Sequence, residues 1–270
     1  LNTINSISQY ITENSLREYG FSSIDLSDVE KAQFMRRIDS KYILPLTDLE
    51  QILYSAKGTY SIVENNGQLM PCYNSVYFDT PDLRLYLDHH NRRAKRYKIR
   101  TRHYLASNDI FLELKIRIPT GEILKNRLPL GNNDGNDAEI NRFISSSCPI
   151  SPSELTKTLA TRFNRITLVS PGQNERVTID FNLLLSDIQN NKNVIFNNLC
   201  IIETKRNKYS PSSMISEQFK RRGIRETSFS KYSVGIAILH GKIKCNNFKP
   251  IIHRLLNNYS HEYTTYTNAG

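Results

Sequence analysis

The stretch "RRAKRYKIRTRHY" (residues 92–104) sets Arg96, Lys98, Arg100 and Arg102 in alternation with Tyr97, Ile99, Thr101 and His103. In an extended strand, side chains point alternately to the two faces, so the pattern predicts one face with four cations in a row. Neighbouring cations on that face sit roughly 6.5–7 Å apart. At an effective dielectric of about 20, each adjacent pair repels by roughly 2.5 kcal/mol. Such a row either faces water or is built to meet an anion.

The neighbouring segments bear on that choice. "FLELKIR" (111–117) places Glu113, Lys115 and Arg117 against Leu112, Leu114 and Ile116, and "LKNRL" (124–128) adds Lys125 and Arg127. Arg162, Arg165, Arg176, Asp180, Glu203 and Lys205 continue the theme in the second half. A single strand with one charged face is ordinary in a half-exposed sheet. Repeated over many strands, with arginine dominant and few acids among the set, the pattern fits a different arrangement. An antiparallel sheet closed into a barrel would turn its apolar faces outward under helices and its charged faces inward. The interior would be a basic tunnel with a few carboxylates. The planar arginine fork matches phosphate oxygens, and the carboxylates match a hard divalent cation that bridges phosphates. The expected ligand is triphosphate-like, with Mg²⁺ or Mn²⁺.

Short turns such as "SND" (107–109) and "PTGE" (119–122) join successive strands, which makes the sheet antiparallel. The expected fold class is α+β: a closed antiparallel β-barrel with surrounding helices. "LTDLEQILYSAK" (46–57) opens a helix with Thr47 and Glu50 as a capping box. "PDLRLYLDHH" (81–90) is a short helix beginning at Pro81, with Asp79 as its capping residue. Further helices are expected near 137–146, 152–158 and 210–223, and a last one at 231–243. "NVIFN" and "LCIIETKRN" are expected as separate strands. The expected organisation is a helical arm over 1–34, a tunnel domain over 35–245 and a polar tail over 246–270.

Bulk properties agree. The 270 residues carry 36 Lys+Arg against 26 Asp+Glu, a net charge of +10 that attracts polyanions. Nucleic acid is disfavoured, because Tyr97 and His103 fall on the face opposite the arginines, where they could not stack beside phosphate contacts. Cys72, Cys148, Cys200 and Cys245 show no C-x-x-C pair, as expected for reduced thiols in the cytoplasm. The longest apolar run, near "VGIAILHG", falls short of the ~20 residues of a spanning helix. No secretory leader is visible, and the chain opens on Leu1 rather than Met, which leaves room for preceding residues. Asp180 is expected either to pair with an inner arginine or to ligate metal.

Taken in order, "RIDSKYIL", "SVYFDT", "YKIRTRHY", "FLELKIR", "FNR", "RVTID", "IIETK" and "FSKYSVG" resemble the VTC domain. This is the polyphosphate polymerase domain of vacuolar transporter chaperone complexes, in the triphosphate tunnel metalloenzyme (CYTH) group. The resemblance covers roughly residues 35 to 240. It implies that Arg100, Arg102, Lys115, Arg165, Arg176 and Lys231 form the catalytic set and that Glu203, with Glu113, holds Mn²⁺ or Mg²⁺. Lys41, Arg96, Lys98, Arg127 and Lys205 would contact substrate. It further implies ATP and inorganic polyphosphate or pyrophosphate as ligands, with the γ-phosphate passing to a growing chain. The alternatives are an inorganic or nucleoside triphosphatase of the same fold, or a polyphosphate-binding module without activity. Three positions depart from the wider pattern. Phe111 stands where many tunnel enzymes have the first acid of Glu-x-Glu-x-Lys. Ser228 stands in place of the first lysine of Lys-x-x-Lys. His89 or a neighbour replaces an arginine before Arg96.

Overall fold

The computed structural model describes residues 11–30, 37–131, 137–170, 172, 174–207 and 213–259. The chain forms two compact units, each assembled from three separated stretches. The first comprises Leu1–Cys72, Phe163–Leu183 and Phe196–Ser228, and the second Tyr73–Arg162, Leu184–Ile195 and Phe229–Gly270. The elements run α1 (Glu13–Glu18), β1 (Ser23–Asp25), α2 (Leu26–Glu30), β2 (Arg37–Pro45), α3 (Leu49–Ala56), β3 (Ser61–Glu64) and β4 (Cys72–Asp79). They continue with α4 (Arg84–His90), β5 (Arg96–Tyr104), β6 (Asp109–Arg117), β7 (Ile123–Pro129), α5 (Asp137–Ser145) and β8 (Thr156–Ser170). The last are β9 (Glu175–Asp187), β10 (Lys192–Asn207), α6 (Met214–Arg221), α7 (Lys231–Leu239) and α8 (Lys249–Tyr259). The ten strands belong to one sheet, hydrogen-bonded in the order β2-β10-β9-β8-β4-β5-β6-β7, with β3 joined to β8 and β1 to β3. The architecture is α+β on an antiparallel sheet; β1 and β3 form a short parallel pair at its margin.

In the second unit, β5, β6 and β7 form an antiparallel meander. The alternation seen in the sequence divides it cleanly. Tyr97, Ile99, Leu112, Leu114 and Ile116 are buried with Ile144 of α5, Cys148 and Ile150. Gly121, at φ +93, makes the tight turn between β6 and β7 that a side chain would oppose. In the first unit, Tyr42 and Leu44 of β2, Cys200 and Ile202 of β10, and Val177 and Ile179 of β9 bury against α3 and α6. α3 contributes Leu49, Ile52, Leu53 and Ala56, the apolar stripe expected from its 3.6-residue period. The residues of opposite parity on β2, β5, β6 and β10 carry the charges.

Several local expectations are corrected. Thr47 does not cap α3: Leu46–Asp48 form a 3₁₀ turn that runs straight into the helix, and its preceding Asp48 makes no side-chain cap. Asp48 instead pairs with Arg222 at 2.8 Å. Pro81 lies before α4, which starts at Arg84 after Leu83 in the left-handed region. Asp79 performs the capping: its carboxylate accepts from the backbone N–H groups of Leu85 and Tyr86, each at 2.8 Å. Residues 152–158 are a 3₁₀ turn, Pro152–Glu154, followed by the start of β8. The two strands expected between 192 and 207 are one continuous strand. α7 is not the last helix; α8 follows and buries Leu255 and Tyr259. The part of the expected polar tail from 260 lies outside the described residues. No helix among the described residues is long and apolar enough to cross a membrane.

Candidate functional site

Register converts the alternating sequence of the second unit into rows of side chains across the meander. Arg96 stands opposite Arg117, Lys98 opposite Lys115, Arg100 opposite Glu113, and Arg102 opposite Phe111. β7 extends these rows, with Ile123 opposite Arg117, Lys125 opposite Lys115, Arg127 opposite Glu113 and Pro129 opposite Phe111. On the other side, β4 sets Ser75 beside Arg102 and Tyr77 beside Arg100. Lys98, Lys115 and Lys125 therefore form a wholly cationic row, and Arg96 and Arg117 set two cations opposite each other in the row beyond, a placement that costs free energy because like charges lie directly opposite. The Arg100 row has an acid between two arginines.

That acid is paired with two cations, one at each oxygen. Arg100 donates to Glu113 Oε2 from Nε at 2.8 Å and from Nη2 at 2.6 Å. Lys125 Nζ lies 2.9 Å from Oε1. Burial pushes the Glu113 carboxyl up, but Arg100, Arg102 and Lys125 outweigh it and hold the group well below the usual carboxylate range. Burial likewise opposes the charge of Arg100, and Tyr77 and Glu113 more than restore it. Tyr77 also accepts from Arg100 Nη1 at 3.0 Å. At the cationic end, burial and then the neighbouring Arg117 lower the pKa of Arg96.

α7 begins on this face. Ser230 caps it, accepting from Ser233 N–H, and Lys98 Nζ donates to the same Ser230 oxygen at 3.0 Å. Lys231 is the first helical residue. Tyr232, the next, hydrogen-bonds Asp79, whose carboxylate also caps α4, and its ring stacks on Tyr77 at 5.1 Å. One buried carboxylate thus fixes the starts of two helices.

The first unit carries its own charged face. Lys41 of β2 stands opposite Glu203 of β10, and Asp39 opposite Lys205. Arg165 holds Asp180 through two parallel bonds, Nε to Oδ1 at 2.6 Å and Nη2 to Oδ2 at 2.8 Å. Asp180 is therefore a pairing residue in this structure. Arg176 Nη2 donates to Val29 O at 3.1 Å. Glu203 pairs with Lys205, whose Nζ lies 3.6 Å from Oε1. Burial raises its pKa, but Lys205, Lys41 and Arg165 prevail over both burial and Asp180, drawing it down to about 2.

The expected site residues thus fall into two groups. Arg96, Lys98, Arg100, Arg102, Glu113, Lys115, Arg127 and Lys231 lie in the second unit, and Lys41, Arg165, Arg176, Glu203 and Lys205 in the first. As a metal ligand Glu113 would have to exchange Arg100 and Lys125. Glu203 stands opposite Lys41 and beside Lys205. Among the described residues, no cluster of three or more His, Cys, Asp or Glu could hold a metal by itself. A single carboxylate suits Mg²⁺ or Mn²⁺ if substrate oxygens and water complete the shell, which is how Mg²⁺ is commonly bound. The sequence reading did not single out Ser75, Tyr77, Ser230 and Tyr232 as site residues. The first two share parity in "SVYF", and only the β4–β5 register reveals them as neighbours of Arg100 and Arg102.

Comparison with known proteins adds a family. A search of curated protein sequences gave no significant match. Among solved structures, the chain is similar to a candidate adenylate cyclase of Bacillus halodurans, at 16% identity over 72% of this chain and 94% of that one, TM-score 0.44. It is also similar to HpAC1 of Hippeastrum, described as an adenylyl cyclase candidate with a dominant triphosphatase activity, at 15% identity over 77% and 97% of the two chains, TM-score 0.45. PH1819 of Pyrococcus horikoshii OT3 is a third, at 11% identity over 73% and 95%, TM-score 0.39. The family model described as the VTC domain matches residues 36–240, most of the sequence. This chain belongs to the VTC domain family.

Proposed function

We propose that the chain is a polyphosphate polymerase that transfers the γ-phosphate of ATP to the end of an inorganic polyphosphate or pyrophosphate chain, with residues 35–245 as the phosphate-handling domain. The observation that carries this reading is the state of the acids. Glu113 and Asp180 are spent on arginine forks, and Glu203, at about 2, is a feeble base at neutral pH. A hydrolase must activate water, and these carboxylates are poorly suited to take its proton. A phosphate acceptor needs no such help, because its attacking oxygen is already an anion. The state of these three carboxylates therefore favours transfer over the triphosphatase reading.

Catalysis on this reading is positioning plus charge neutralisation. Arg100, Arg102, Lys115 and Lys231 of the second unit, and separately Lys41, Arg165 and Arg176 of the first, are the cations assigned to phosphate oxygens. The cationic row Lys98–Lys115–Lys125 and the Arg96–Arg117 pair beyond it suit a chain of repeating negative charge, and occupancy relieves their repulsion. Arg127 and Lys205 add contacts at the margins of the two faces. Glu203 would hold Mn²⁺ or Mg²⁺, which when bound withdraws charge from phosphate oxygens. A cytoplasmic setting, expected from the scattered thiols, agrees with the ATP requirement.

The test is incubation of the purified protein with ATP and Mn²⁺, with long-chain polyphosphate and free phosphate resolved by gel and phosphate assay. Polymer formation that is lost in Arg100→Ala supports the reading. Free phosphate without polymer, from ATP or tripolyphosphate, would establish the hydrolase instead. Salt-dependent binding with no turnover would establish a binding module.

A further inference from the structure

At the end of the β5–β7 face opposite the cationic rows, the side chains change from charged to aromatic. Phe111 stands opposite Arg102, one step along the strand from the Arg100–Glu113 row. The Arg127 guanidinium lies flat against it, 3.5 Å from the ring centre. Tyr104 meets Phe111 edge-on at 5.7 Å and Tyr73 at 5.1 Å. Arg127 also lies 5.3 Å from the Tyr104 ring, and Arg102 lies 5.9 and 6.0 Å from Tyr73 and Tyr104. Tyr73 is buried, whereas Tyr104 and Phe111 are half-buried and Arg127 is exposed. An exposed guanidinium and a half-buried phenol ring thus lie together at this end of the face.

We infer that Phe111, Arg127 and Tyr104 form a nucleobase platform that makes this face selective for a nucleoside triphosphate over a bare inorganic triphosphate. The inference rests on the phosphate-binding reading above. Its grounds are chemical. Bases stack on aromatic rings and on arginine planes alike. A guanidinium already braced on a ring is pre-organised, so little side-chain freedom is lost on stacking. The platform begins one strand step, roughly 6.5–7 Å, beyond Arg100. That is the direction in which a ribose would carry the base away from phosphates held by Arg100 and Arg102. An acid at position 111 would instead pair with Arg127 and abolish the stack.

The test is calorimetric titration of wild type, Phe111→Leu and Tyr104→Leu with ATP and separately with sodium tripolyphosphate, at one fixed salt concentration. Leucine keeps apolar bulk but offers no ring. The expected result is tighter binding of ATP than of tripolyphosphate by wild type. In either variant ATP affinity should fall about ten-fold, with tripolyphosphate affinity held within about two-fold. Retained tripolyphosphate binding also reports an intact fold. Equal loss of both ligands, loss of neither, or a wild type that does not prefer ATP overturns the platform while leaving the phosphate site standing. A wild type that binds neither ligand overturns the platform and the phosphate reading together.

Discussion

Replacing Glu113 by Gln removes one charge at the centre of the cationic rows while keeping the shape of the side chain. Glu113 is only 2% exposed, and Arg100, which donates two bonds to one of its oxygens, is 24% exposed. Charges about 4 Å apart attract by about 4 kcal/mol at an effective dielectric of 20. Glutamine would retain one neutral hydrogen bond to Arg100, of about 1 kcal/mol. Lys125 is half exposed, and its share stays below about 1 kcal/mol. The expected net loss is about 2–3 kcal/mol at pH 7, allowing for the solvent that reaches Arg100. For a chain of this size that lowers the melting temperature by about 5–10 °C. The pH dependence has a definite sign. The ordinary value of the carboxyl is 4.5, and in the fold it is held well below that. Its contribution is complete above pH 4.5 and fades as pH falls towards the folded value. The gap between wild type and Glu113→Gln should therefore stay constant from pH 8 to pH 5 and narrow only on further acidification. Added tripolyphosphate should close the gap at pH 7, because the variant presents more uncompensated cations to it. Thermal unfolding followed by circular dichroism across this pH range, with and without the anion, is sufficient. A variant as stable as wild type at pH 7 would refute the reasoning, as would a gap that widens on acidification.

Other consequences are more local. Glu203→Gln should reduce polymer formation from ATP at least about 100-fold, since a lost charge-stabilising group typically costs about 2.7–4 kcal/mol in the barrier; raising Mn²⁺ should restore part of the rate, and an unchanged rate would remove Glu203 from the metal role. Gly235→Ala in α7 should destabilise by about 1–3 kcal/mol despite the better helix propensity of alanine, because its Cβ would meet Leu159 Cδ2 at 2.6 Å; urea midpoints measure this. Asp79→Asn should cost about 1–3 kcal/mol, because an amide cannot accept from Leu85, Tyr86 and Tyr232 at once. Amide exchange should show α4 and the start of α7 loosening together.

The alternating charges, the antiparallel turns and the apolar parity of β5 and β6 were all legible in the sequence, because each is set by the two-residue repeat of a strand. The order of motifs was equally legible, and with it the family. Helix boundaries were less so. Thr47 had the chemistry of a cap, but the chain had already entered a 3₁₀ turn, and nothing within a few residues reports that. Residue type likewise marked Glu113 and Glu203 as equivalent acids. They differ because β6 lies between two strands that each bring a cation to Glu113, whereas Glu203 stands opposite Lys41 across the β2–β10 pair and meets Lys205 of its own strand at 3.6 Å.

By itself, then, the sequence determined which side of each strand is charged and that phosphate is the chemistry those charges suit. Only the tertiary structure decided which acids are consumed, that Ser230 meets Lys98, and that Arg127 lies flat on Phe111. The division has a physical cause. Parity is local and follows from backbone geometry, whereas partnership depends on strand register. Register is settled by the burial of the opposite face, where Ile99, Leu112, Leu114 and Ile116 must all reach one core.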